Sequence, residues 1–181
     1  IAILALDKTG TLTRGEPQVT DIVPLAAEGD TALRLAAALE QGSEHPLAKA
    51  ILARAGSPQG HLPGGAVDLE KVANFTALPG QGVAGEIAGR HLRLGAPAWL
   101  GMADDPAVVA LQAAGKTVVV LEEGGTALAL LAIADALRPT SRVAVERLRA
   151  RGIRVVMLTG DNAATAAAIA HEAGIDEYRA G

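Results

Sequence analysis

The 181-residue chain contains no cysteine, which excludes disulfides, thiolate metal sites and a cysteine nucleophile. Aromatic residues make up only 2% of it, so the core must be assembled from Ala, Val, Leu and Ile. The net charge of −4 offers no electrostatic footprint for nucleic acid. The four histidines, His45, His61, His91 and His171, are scattered, and no pair has metal-ligand spacing. No apolar run approaches the ~20 residues of a membrane-spanning helix. The longest, Ala127 to Ala134, has the length of a strand. A start Met and a charged leader are also missing, because Ile1 opens directly into an apolar run. The expectation is a soluble, globular piece of something longer.

What is present changes character along the chain. Residues 1–6 (Ile-Ala-Ile-Leu-Ala-Leu) read as a fully buried strand of a parallel sheet. Val19 to Leu25 predicts a second extended piece, and Thr31 to Gln41 and Ser43 to Ala55 predict helices broken at Gly42. Gly56 to Gly65, rich in Gly and Pro, predicts a loop. Val83 to Ile87 and His91 to Leu94 alternate around Ala88-Gly89-Arg90, the pattern of a hairpin. Asp104 to Ala114 fits a short helix, and Val118 to Glu122 and Ala127 to Ile133 flank a tight turn at Gly124-Gly125. The end of the chain predicts a helix from Pro139 to Arg151, a buried strand from Ile153 to Leu158, and a helix through Ala173 capped by Asp161 or Asn162 and stopped by Gly174. The two ends belong to an α/β layer and the middle to an α+β one. An α/β domain, residues 1–15 and 133–181, is therefore expected to be interrupted by an inserted α+β domain at 16–132.

The chemistry centres on Asp7-Lys8-Thr9-Gly10-Thr11-Leu12-Thr13, directly after the first strand. A carboxylate is ionised at neutral pH, needs no base, and can accept a phosphoryl group covalently. Such transfer depends on positioning and charge neutralisation. Lys8 offers positive charge, although its side chain could equally be solvated. Thr9 and Thr11 offer hydroxyls, and Gly10 allows close approach. Thr159-Gly160-Asp161-Asn162 follows the later strand, where a threonine is well placed for a phosphoryl oxygen and Asp161 can cap a helix. In the middle, Ser43 reads as the cap of a helix with Glu44 and Pro46 in its first turn, which leaves His45 unexplained. Gly80-Gln81-Gly82-Val83-Ala84-Gly85 fits G-x-G-x-x-G but precedes a strand, which disfavours a Rossmann dinucleotide site. His61, His91, His171, Trp99 and Tyr178 read as structural or surface residues.

The seven residues from Asp7 match the phosphorylation motif of the P-type ATPases, within the haloacid dehalogenase superfamily. His45-Pro46 resembles the signature of their heavy-metal subfamily. The resemblance implies a haloacid dehalogenase-like parallel sheet, incomplete here, with a nucleotide-binding insert built on an antiparallel sheet. By it, ATP donates its γ-phosphate to Asp7, with Lys8, Thr9, Thr11, Thr159, Gly160 and Asp161 completing the site and Mg²⁺ held at Asp7 and Thr9. Glu44 and His45 would orient the adenine, with Gly80, Gly82 and Gly95 against the nucleotide. Ala96 departs from the Asn usual after that last glycine in copper-type members. Phosphatases of the superfamily carry a second Asp two residues after the nucleophile; Thr9 stands there and cannot activate water, which favours storing the phosphoryl group. Ala134-Asp135-Ala136-Leu137-Arg138-Pro139 resembles the segment returning from the insert, with Asp135 near the hinge and the phosphorylation site.

The resemblance implies copper(I) as the first choice of ion, with zinc, cadmium, lead or cobalt open. It implies membrane and actuator domains as partners within one pump, a monomer on the cytosolic side of a plasma or inner membrane. A superfamily phosphatase and a non-catalytic nucleotide-binding module are the alternatives. The segments carrying the family's later lysine and Gly-Asp-Gly-x-x-Asn-Asp are not among these residues. The 181-residue chain is therefore expected to bind nucleotide weakly and to phosphorylate Asp7 poorly or not at all, as ³²P incorporation from ATP would measure.

Overall fold

A computed structural model describes residues 3–56 and 69–181. His61, Ile1-Ala2 and nearly all of the expected 56–65 loop lie outside the described residues. In chain order the elements are β1 (Ile3–Asp7), β2 (Gln18–Pro24), α1 (Gly29–Glu40), α2 (Pro46–Ala55), β3 (Val72–Leu78), β4 (Gly82–Ile87), β5 (Arg90–Gly95), α3 (Pro106–Ala113), β6 (Thr117–Glu123), β7 (Thr126–Ala134), α4 (Ser141–Ala150), β8 (Arg154–Thr159), α5 (Ala163–Ala173) and β9 (Glu177–Ala180). They form two compact units: residues 1–17, 109–117 and 134–181, and residues 18–108 and 118–133.

The first unit holds a three-stranded sheet in the order β1-β8-β9, parallel throughout. Leu12, Val145, Val155, Met157, Ile169 and Ile175 form its core, with Leu6 and Tyr178 packed against it. The apolar run that opens the chain is not fully buried: β1 is an edge strand, and Ile3 and Ala5 face outward. Val155 and Met157 of the central strand point into the core, whereas Leu158 on the opposite face is exposed. A helix from Pro139 was expected, but α4 starts at Ser141. Arg138 N–H and Ser141 Oγ both donate to the Leu12 carbonyl, and Ser141 N–H donates to the Arg138 carbonyl, so Pro139 is held in a turn. Asn162, not Asp161, caps α5 through Thr165 N–H, and Gly174 ends it in the left-handed conformation.

The second unit holds a six-stranded sheet in the order β2-β7-β6-β5-β4-β3, antiparallel along β3 to β6. Helices α1 and α2 pack against it through Ala32, Ala36, Ala37, Leu39, Ala50 and Ile51, and alanines allow the close approach that a chain poor in aromatics needs. Two hairpins form where expected. Ala88 and Gly89 both take positive φ, 50° and 78°, and so do Gly124 and Gly125, the backbone that two-residue hairpin loops demand. The cap of α2 is His45 rather than Ser43: its Nδ1 accepts Leu47 N–H, and Ser43 Oγ accepts His45 N–H one step earlier. Strands β3 and β9 were not anticipated.

Gly82 and Gly95 are register partners in β4 and β5. A Cβ on Gly82 would lie 2.2 Å from the Leu94 carbonyl oxygen, and one on Gly95 would lie 2.2 Å from that of Gln81. Gly80, at φ +73°, has nothing within 4 Å of a Cβ. Gly82→Ala is expected to destabilise the chain by about 3 kcal/mol, as overpacking against backbone does. Gly80→Ala is expected to cost ~1 kcal/mol from its left-handed φ alone. Urea unfolding of the two variants distinguishes them.

Candidate functional site

Asp7 ends β1 opposite Leu158, so Thr159 lies at the same end of the parallel sheet. The chain then leaves through a wide turn in which Thr13 N–H donates to the Lys8 carbonyl at 3.0 Å. Thr9 stays extended (φ −75°, ψ 122°) and Gly10 turns at φ 75°. Asp7, Thr9 and Thr11 are exposed. Among the described residues, nothing pairs with the Asp7 carboxylate.

Lys8 is not solvated. It is 9% exposed, and its Nζ lies 2.7 Å from Asp161 Oδ2, both side chains being almost covered. Thr159 Oγ1 also donates to Asp161 Oδ2, at 2.9 Å, and accepts Asp161 N–H at 3.1 Å. The structure thus brings Lys8, Thr159 and Asp161 together beside Asp7. Gly160, between the last two, is exposed, with open space where a Cβ would stand.

A second set of contacts fixes the turn from behind. Asp135 Oδ2 accepts from Thr13 Oγ1 at 2.6 Å, and the Asp135 carboxylate also accepts Gly15 N–H and Glu16 N–H. Thr13 Oγ1 in turn accepts Gly10 N–H at 3.2 Å. Arg138 Nη2 donates to the Gly10 carbonyl at 3.0 Å. Asp135 therefore acts on the turn after β1 through Thr13, and Arg138 acts on it directly. Sequence reasoning assigned no role to Arg138, whose partner is a backbone carbonyl 128 residues away.

In the other unit, Glu44 and His45 are exposed at the start of α2. Because His45 Nδ1 accepts a hydrogen bond, the neutral ring carries its hydrogen on Nε2, which leaves one donor free. The turn before α2 lies against β3, where a Cβ on Gly42 would be 3.9 Å from Phe75, and β3 leads into Gly80. Gly82 and Gly95 have a reason internal to the sheet for being glycine, whereas Gly80 leaves bare backbone facing open space.

Sequence reasoning missed Glu40 at the end of α1. It is 8% exposed, and its Oε2 has no partner. Burial raises its carboxyl pKa above the ordinary value, while the Ser43 hydroxyl and the charge of His45 act the other way. The available signal was a carboxylate closing the apolar run Leu35-Ala36-Ala37-Ala38-Leu39. A buried acceptor without a donor costs stability and is the kind of group a ligand can satisfy.

The whole chain, residues 1–181, matches the family model described as haloacid dehalogenase-like hydrolase, and the chain belongs to that family. It is 44% identical, over 99% of its length, to a probable copper-transporting ATPase of Synechococcus elongatus, of which it covers 24%. It is 43% identical over 95% of its length to a copper-exporting P-type ATPase of Archaeoglobus fulgidus, again covering 24%. Among solved structures, a zinc-transporting PIB-type ATPase matches with a TM-score of 0.72 at 36% identity, over 100% of this chain and 29% of that one. The resemblance to heavy-metal P-type ATPases thus extends over nearly the whole chain, which spans about a quarter of these curated relatives' length.

The raised pKa of Glu40 has a signed consequence. The folded state holds this proton more tightly than the unfolded one, so stability falls as pH rises above the ordinary carboxyl value of 4.5 and levels off beyond the raised pKa. Glu40→Gln is expected to melt higher than the parent at pH 7 and to lose that part of the pH dependence, as thermal unfolding between pH 4.5 and 7.5 would show.

Proposed function

We propose that this chain is the ATP-binding and phosphorylation region of a heavy-metal cation-transporting P-type ATPase. The observation that carries the reading is the exposed Asp7 at the end of a parallel strand, with Lys8, Thr159 and Asp161 converging beside it. In this reading residues 1–15 and 133–181 form the phosphorylation domain and 16–132 the nucleotide-binding insert. The Asp7 carboxylate attacks the γ-phosphorus of ATP, an acyl phosphate forms, and ADP leaves. Thr9, which has no carboxylate to activate water, lets the phosphoryl group persist. That persistence is what coupling to a conformational change requires. Lys8 and Thr159 can neutralise phosphoryl oxygens once released from Asp161, and Thr11 and Gly160 offer backbone donors.

The donor set fits ATP in the insert. The unpartnered Glu40 Oε2, the free Nε2–H of His45 and the bare backbone at Gly80 suit an amino group, a ring nitrogen and a close approach respectively. Glu44, Gly82 and Gly95 complete the pocket as the resemblance implies. Mg²⁺ would be held by hard oxygens from Asp7, Thr9 and the triphosphate, and would neutralise charge on the transferring group. Among the described residues no cluster of three or more His, Cys, Asp or Glu forms a metal site by itself, which fits a metal arriving with the nucleotide.

The named relatives, which are copper-transporting and copper-exporting, favour copper export as the work done. Copper(I) as the ion, a monomeric pump, and membrane and actuator domains as partners of this region are part of the proposal as the resemblance implies them. The similarity to a zinc-transporting pump favours zinc as the second reading. No helix among the described residues is long and apolar enough to cross a membrane, and the region is proposed to work on the cytosolic side.

ATP titration of the chain, followed through amide resonances, is expected to shift residues 40–47 and 78–82. His45→Ala is expected to weaken binding about tenfold, the equivalent of ~1.4 kcal/mol. In the pump that carries this region, Asp7→Asn is expected to abolish acid-stable ³²P incorporation. Undiminished ATP affinity in His45→Ala, or a phosphoenzyme persisting in Asp7→Asn, would sink the corresponding assignment.

A further inference from the structure

Thr117 opens β6 and belongs to none of the motifs above. Its Oγ1 donates to Asp161 Oδ1 at 3.1 Å, across 44 residues of sequence. The other carboxylate oxygen, Oδ2, takes Lys8 Nζ at 2.7 Å and Thr159 Oγ1 at 2.9 Å. Three donors from three separate places, the turn after β1, the end of β8 and the start of β6, therefore converge on one carboxylate. All four residues lie in the same compact unit.

Thr117 is itself held. The carbonyl of the preceding residue, Lys116, accepts from Thr165 Oγ1 at 2.9 Å, and Thr165, 1% exposed, is fixed in the first turn of α5 by Asn162. The torsion that turns an Asp carboxylate about its stem is broad, so donors on one oxygen alone fix it poorly. A donor on the second oxygen fixes the plane of the group and with it the place where Lys8 finds its partner. We propose that Thr117 is a positioning residue of the acceptor site: by holding Asp161 Oδ1 it keeps Asp161 Oδ2 turned to Lys8 and so sets where the Lys8 ammonium sits beside Asp7. Lys8 and Thr159 then both wait on Asp161, in donor directions that a phosphoryl group on Asp7 would have to compete for. The meaning of this for phosphoryl transfer rests on reading Asp7 as the acceptor; the coupling of Thr117 to Lys8 does not.

The test reads Lys8 directly. The lysines of the chain are Lys8, Lys49, Lys71 and Lys116, so trace acetylation with an N-hydroxysuccinimide ester, resolved by peptide mass spectrometry, gives a rate for each. In the parent, Lys8 is expected to react far more slowly than the exposed Lys49. Thr117→Val is expected to raise the Lys8 rate about fivefold to tenfold, as expected for loss of one hydrogen bond to a charged group. Thr117→Ser is expected to restore the parent rate. Asp161→Asn is expected to raise the Lys8 rate by itself, and adding Thr117→Val to it is expected to change nothing further, because the two act through one contact. An unchanged Lys49 rate and melting temperature show that the fold is intact, and Thr117→Ala supplies the same reading should valine distort the strand start. A Lys8 rate that stays at the parent value in both Thr117→Val and Thr117→Ala, failure of serine to restore it, or the same increment again on top of Asp161→Asn would overturn the proposal. None of these outcomes depends on whether Asp7 is phosphorylated, so a failure of the coupling is separable from a failure of the proposed activity.

Discussion

The Lys8–Asp161 ion pair is the contact on which the Asp7 end of the parallel sheet depends. It joins the turn after β1 to the loop after β8 with both side chains almost out of water. Taking either charge out of water costs several kcal/mol, and the attraction of a partner repays this only where the remaining polar atoms are satisfied. Here they are: Thr159 and Thr117 supply the other donors to the carboxylate. An uncompensated charge would be left by removing either partner, so the pair specifies one arrangement of the two loops more than it adds net stability. The exposed Asp7 is the residue in this group left without a partner, and that asymmetry defines the site chemically.

The same end of the sheet is braced by a second carboxylate with a different task. Asp135 takes three donors, from Thr13, Gly15 and Glu16, and so binds the outgoing strand connection to the returning one. The isolated antiparallel bridge between Thr13 and Leu137 and the guanidinium of Arg138 on the Gly10 carbonyl complete the knot. Asp161 therefore organises charge beside Asp7, and Asp135 organises backbone beneath it. In both, hydrogen bonds from the chain stand where water would otherwise solvate the carboxylate.

How much of this the sequence could show follows from the range of each interaction. The turn after Asp7, the two hairpins and the stop of α5 are written in neighbouring residues, so the turn, Ala88-Gly89, Gly124-Gly125 and Gly174 were legible. Strand β3 was not, because Val72-Ala-Asn-Phe-Thr-Ala-Leu78 bears a register irregularity between Ala73 and Thr76 and puts Asn74 at φ 52°, which breaks the alternation a strand normally displays. Strand β9 was hidden by brevity and by its polar residues. The burial of β1 was misjudged because periodicity reports that a segment is apolar, not whether a neighbour covers its second face. Ser43 looked like a cap by residue type, but His45 lies nearer the first helical turn and its imidazole competes successfully for Leu47 N–H. Arg138 and Thr117 were silent because each acts on a partner far away in the chain.

The glycine loop shows why a motif has to be divided before it is interpreted. In Gly80-Gln81-Gly82 two glycines look alike in sequence, yet they answer to different constraints. Gly82 is required by Gly95 and the Leu94 carbonyl across the hairpin, so it would be glycine with or without a ligand. A Cβ on Gly80 would meet no atom within 4 Å, so only its positive φ, which other residues tolerate at modest cost, favours glycine there. Glu40 makes the complementary case: one oxygen of its buried carboxylate, Oε2, has no partner, and burial raises its pKa so that it weakens the folded state as pH rises. A side chain at Gly80 would face open space, and the one present at Glu40 lacks a donor on Oε2. Under the proposed function, a nucleotide that approaches backbone at Gly80 and donates a hydrogen bond to Glu40 would account for both.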